Sequence, residues 1–141
     1  MARADFYLID KPRFREQPLL LVCELAKRCE AAGKATLVLC ASQAQAEELD
    51  DLLWSFEEDS FIAHQIVGVE EDEEDVPVLI VPPGLEAPSR PFIINLRAEA
   101  VAEGFERVLE VVPADASARV PLRERWKQYQ ARGLALNKHD M

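Results

Sequence analysis

The chain has 141 residues, 49% of them hydrophobic and 30% charged, with a net charge of −10. That size and composition suit a single domain spanning residues 1–141 and exclude a disordered chain. With no apolar run near the roughly 18 residues of a membrane span and no signal peptide in the first ten residues, a soluble, cytoplasmic protein without a membrane partner is expected.

Residues 5–9 form a short apolar run closed by Asp10, Lys11 and Pro12, which predicts a first strand. Pro18 opens a helix, where its missing N–H costs little. Leu19, Leu20, Val22, Cys23, Ala26 and Cys29 or Glu30 follow helical spacing, and Gly33 stands at the position of a left-handed stop. Residues 36–40 are nearly all apolar, the mark of a strand buried on both faces of a parallel sheet. Ser42 is an N-cap with Gln45 three residues on, opening a helix that runs to about Phe56. A short apolar segment lies within residues 60–67, and the acidic run 70–75 predicts a surface loop. Strands follow at 78–81, 92–96 and 107–112, with a loop at 82–90 and a short helix at 99–105 between them. The last helix starts at Asp115 or Ser117 and stops at Gly133; Pro121 either kinks it or lies in its first turn. Strands alternating with helices predict an α/β three-layer sandwich with a mainly parallel central sheet.

The fold is expected to be Rossmann-like without a nucleotide-binding loop. Gly33 and Lys34 look like the end of a phosphate loop, but here the glycine ends a helix and the lysine leads into a strand, the reverse of the order that aims helix N–H groups at a phosphate. No G-x-G-x-x-G follows the first strand. Cys23, Cys29 and Cys40 lack C-x-x-C spacing, His64 and His139 have no second histidine at ligand spacing, and no serine sits in a nucleophile elbow. Neither catalytic residues, a metal site nor a cofactor are expected. A small α/β nucleotide-binding enzyme remains a rival reading, but one that needs a phosphate cradle the chain lacks.

Two features point to binding. Residues 1–118 carry 10 Lys and Arg against 24 Asp and Glu, whereas residues 119–141 carry 6 against 2. In that basic end Arg123, Trp126, Lys127 and Gln130 share one helical face. Two cations beside a large ring suit an acidic peptide with an aromatic end. The alternatives are a tryptophan turned into the core with snorkelling cations, or direct binding of single-stranded nucleic acid by base stacking. An acidic body repels phosphate backbones, so contact with nucleic acid is expected to be mainly indirect. The second feature is Trp54, Phe56 and Phe61 around a helix end. These are either core or, where exposed, anchors for a partner.

In this order, Phe6 to Leu8, Leu21 to Ala26, Gly33 with Lys34, Leu49 with Asp50, Leu53 with Trp54, Ser60 with Phe61 and His64, and Arg123 to Lys127 with Tyr129, Gly133 and Asn137 resemble the chi subunit family of DNA polymerase III. The resemblance implies a non-catalytic accessory subunit associated with the clamp loader, with two protein partners. One is the acidic C-terminal tail of single-stranded DNA-binding protein, whose site falls on Arg123, Trp126 and Lys127. The other is the psi subunit, whose surface falls on Phe61 with Trp54; a helicase related to the XPD group is implied as a competitor there. Trp126 stands where the family often has tyrosine, keeping the ring and losing the hydroxyl. Pro121 departs from the usual pattern.

Overall fold

The computed structural model describes residues 2–56, 62–68, 76–102 and 104–141. The elements in chain order are β1 (Arg3–Leu8), α1 (Pro12–Glu16), α2 (Leu19–Ala31), β2 (Thr36–Leu39), α3 (Gln43–Ser55), β3 (His64–Ile66), β4 (Val78–Val81), β5 (Phe92–Asn95), β6 (Arg107–Val112), α4 (Arg119–Ala131) and β7 (Ala135–Asp140), with one 3₁₀ turn, Ala116–Ala118, ahead of α4. Among the described residues the strands form one sheet in the order β3-β4-β2-β5-β6-β1-β7, every neighbouring pair parallel. No helix among them is long and apolar enough to cross a membrane.

Strand periodicity sorts the core into two layers. Tyr7, Val38, Val78, Ile80, Ile94, Leu109 and Val111 point to one face, where they meet Phe14 of α1, Leu21, Val22 and Leu25 of α2 and Leu49 and Leu53 of α3. Phe6, Leu37, Leu79, Val81, Ile93, Val108 and Val112 point to the other, under Leu122, Trp126 and Tyr129 of α4. All four residues of β4 are buried, as a strand covered on both faces requires. Each fully buried Leu, Ile or Val contributes roughly 1.5–3 kcal/mol from desolvation. The result is the expected three-layer, Rossmann-like arrangement.

Local signals account for most helix ends. Ser42 Oγ accepts from Gln45 N at 3.1 Å, and Gln45 Oε1 accepts from Ala41 N, one residue ahead of the cap, at 2.7 Å, so the start of α3 is tied in both directions. Gly33 and Gly133 follow α2 and α4 with φ of 71° and 82°, the left-handed stop that a side chain would strain. Asp115 caps the 3₁₀ turn through Ser117 N at 2.9 Å. Pro121 is the third residue of α4, where an N–H would have no helical acceptor, so it lies in the first turn and needs no kink.

Three local readings are corrected. Helix α1 was not predicted. The described residues between 99 and 105 are irregular rather than helical, because side chains take their backbone groups. Asn95 Nδ2 donates to Glu99 O at 2.9 Å, Arg125 Nη1 to Ala98 O at 3.0 Å and Arg132 Nη1 to Val101 O at 2.6 Å, while Val101 N donates to Tyr129 Oη at 2.8 Å. Finally, the chain after Gly133 returns as β7, an edge strand on β1. Phe61 and the acidic run 70–75 lie outside the described residues.

Candidate peptide-binding groove

Helix α4 is fixed on the sheet by a buried polar cluster. Glu110 of β6 is fully buried; Tyr129 Oη donates to its Oε2 at 2.6 Å, Asn95 Nδ2 lies 3.1 and 2.9 Å from its two oxygens, and Arg125 Nε forms an ion pair with its Oε1 at 2.9 Å. Burial pushes the Glu110 carboxyl above its ordinary pKa, although Arg125, Asn95 and Tyr129 all pull the other way. Burial, and then the neighbouring Glu110, raise the Tyr129 hydroxyl.

With Arg125 and Tyr129 held down, the helical repeat turns Leu122 and Trp126 towards the sheet margin and Arg123 and Lys127 outwards. The Trp126 ring packs 5.1 Å from Phe6, tilted by 47°. It is half-buried: one side rests on the core and the other is open. Between α4 and the β1–β7 pair lies a groove of 310 Å³ lined by Phe6, Leu8, Leu122, Arg123, Trp126, Lys127 and Lys138. The structure therefore brings Arg123, Trp126 and Lys127 together at one cavity. Lys138, Phe6, Leu8 and Leu122 complete it and were not among the sequence-predicted site residues. Alternation along β1 and the i, i+4 spacing from Leu122 to Trp126 could have signalled three of them; nothing local signals Lys138.

Arg123, Lys127 and Lys138 are exposed, and none forms an ion pair with another described residue. An apolar slot rimmed by unpaired cations can accept a carboxylate-bearing ligand with an apolar side chain. The residues lining the groove include no carboxylate, histidine, cysteine, serine or threonine, and no group of three or more His, Cys, Asp or Glu among the described residues could hold a metal ion. The three cysteines are buried; desolvation pushes Cys23 and Cys40 up to about 12 and raises Cys29, so these are not reactive thiols.

Trp54, the other predicted contact, lies on the outward side of α3 and is 61% exposed, edge-on to His64 of β3 at 5.3 Å. His64 itself is buried, with Nδ1 2.7 Å from Ile62 O. Phe61 falls outside the described residues, so its relation to Trp54 does not enter this geometry.

In overall shape the chain is similar to the C-terminal domain of the DEAD-box protein Dbp5, with a TM-score of 0.67 and 13% identity over 99% of this chain and 90% of that one. The C-terminal domain of S. cerevisiae Dbp5 L327V, bound to Gle1 H337R and IP6, gives 0.63 and 14%. Such identities speak to fold alone. Sequence relatives are more specific. The chain is 34% identical to the DNA polymerase III subunit chi of Pseudomonas aeruginosa over 99% of this chain and 96% of that protein. Against the Escherichia coli subunit chi it is 34% identical over 97% of each, and against that of Haemophilus influenzae 32% over 83% of each. Residues 1–137 match the family described as DNA polymerase III chi subunit, HolC. The chain belongs to the DNA polymerase III chi subunit family, a family of non-catalytic accessory subunits.

Proposed function

We propose that this chain is a replisome adaptor whose groove between α4 and β7 receives the acidic C-terminal tail of single-stranded DNA-binding protein. The observation that carries the reading is the set of unpaired cations around an apolar slot on a molecule that is otherwise acidic. In this reading Arg123 and Lys127 take carboxylates and Trp126 forms the wall for an apolar ring. The surface around Trp54, with Phe61, takes the psi subunit, or an XPD-like helicase in its place. Trp54 packs over β3, at one edge of the sheet, and the groove lies against β7, at the other. Six inter-strand steps of about 4.8 Å put roughly 29 Å between these edges, so two partners can be held at once. Strands β1 and β7, from opposite ends of the chain, pair side by side, which supports one unit rather than two.

The test is binding of a synthetic tail peptide, acidic with a terminal phenylalanine, to the full chain. The double variant Arg123→Glu, Lys127→Glu should bind at least tenfold more weakly, and salt raised above the physiological range should weaken the wild type. Equal binding by the reversed variant would remove the groove from the mechanism. Retention of single-stranded DNA by the protein alone, lost in the same variant, would instead favour direct nucleic-acid binding.

A further inference from the structure

Lys138 reaches the groove from the wall opposite α4. It lies on β7 in register with Phe6 of β1, so its backbone is one inter-strand step, about 4.8 Å, from the residue that forms the groove floor. Alternation on β7 sends His139 to the far side of the sheet, where its Nε2 is 3.2 Å from Asp5 Oδ1 and its ring stacks on Tyr7 at 4.7 Å. That anchorage leaves Lys138 pointing to the α4 side with no acidic partner among the described residues. The groove is thus charged on both walls, by Arg123 and Lys127 on the helix and by Lys138 on the edge strand.

The two walls differ in chemistry. Arg123 offers a planar fork that suits one fixed carboxylate, such as a chain terminus held beside its own side chain in the slot. A lysine ammonium is a point charge on a flexible stem, suited to mobile side-chain acids. We infer, on the basis of the tail-binding reading above, that Lys138 is a third peptide-binding residue, and that it takes the acidic side chains preceding the terminal residue. The bound segment therefore runs across the groove from α4 towards the β7 edge, rather than along α4.

A thermodynamic cycle tests this with the full chain and three peptides: the acidic tail peptide with a free terminal carboxylate, the same peptide amidated at its C-terminus, and the same peptide with its internal acids changed to Asn. Lys138→Gln should weaken the first peptide about two- to fivefold. It should weaken the amidated peptide by the same factor and leave binding of the neutralised peptide unchanged. Lys138→Arg should restore most of the affinity, which a purely structural role for β7 would not predict, and equal thermal midpoints would exclude a folding effect. If the wild type binds the peptide and Lys138→Gln binds it equally well, the inference fails while the adaptor reading stands. If the loss follows the terminal carboxylate instead, the crossing direction is wrong. If the wild type binds no tail peptide, both fall together.

Discussion

Tyr129 carries a structural load out of proportion to one hydroxyl. Its Oη donates to Glu110 Oε2 and accepts from Val101 N, joining α4, β6 and the irregular segment after β5 through one atom. Its ring packs edge-on to Phe6 at 6.0 Å and to Phe105 at 6.4 Å. Tyr129→Phe keeps the ring contacts and removes only the oxygen. It strands a buried N–H and takes one donor from a buried carboxylate, so it should destabilise the protein by about 1–3 kcal/mol. Equilibrium urea unfolding measures this, and a midpoint unchanged from wild type would mean that Glu110 and Val101 find other partners.

Among the elements, the groove depends most on the edge strand β7, whose sequence does not announce a strand. Asp5 is the buried staple. Arg3 Nε donates to its Oδ2 at 2.9 Å, Arg107 Nε to the same oxygen at 2.5 Å, and His139 Nε2 lies 3.2 Å from Oδ1. Three strands, β6, β1 and β7, thus meet at one carboxylate. Burial alone would raise the Asp5 pKa, but hydrogen bonds from Arg3, His139 and Arg107 outweigh it and hold the group below the ordinary carboxylate range. A carboxylate depressed on folding adds stability that is full above about pH 4 and lost as pH falls through the folded-state value. Asp5→Asn should therefore cost about 1–3 kcal/mol at pH 7, and the gap between variant and wild type should narrow at pH 3. Urea midpoints at the two pH values decide the matter; a constant gap would show that Asp5 does not titrate differently in the folded state.

The same elements show what was legible in the sequence and what was not. Strands β2, β4, β5 and β6 are buried and apolar, so their runs stand out, and α2 and α3 carry periodicity and end signals. The residues Ala135–Asp140 are mostly exposed and polar, as an edge strand is, and β7 is defined by its partner β1 rather than by any pattern of its own. The helix expected at 99–105 is overruled by Arg125, Tyr129 and Arg132, which lie more than twenty residues away. Arg123, Trp126 and Lys127 were legible as a site because helical spacing is local. Lys138 was not, because it joins them only through the β1–β7 register.

For the whole molecule, charge is arranged against itself. Residues 1–118 carry an excess of acids and residues 119–141 an excess of bases, for a net charge of −10. An acidic peptide nearing the groove feels two fields of different reach. Arg123, Lys127 and Lys138 attract it at the groove itself, while the net negative charge of residues 1–118 repels it from farther off. At a Debye length of about 8 Å, in physiological salt, the distant repulsion is largely screened and the local attraction survives. Near 0.01 M salt the length grows to about 30 Å and the repulsion returns; near 1 M it shrinks to about 3 Å and the attraction goes too. The association rate for the tail peptide should therefore pass through a maximum near 0.1 M salt, where a uniformly basic binding protein would show a steady fall. Stopped-flow association measured from 0.01 to 1 M salt tests this. A rate that climbs all the way down to the lowest salt would mean that the body's acids do not act on the approach path, and that the basic end alone steers the ligand.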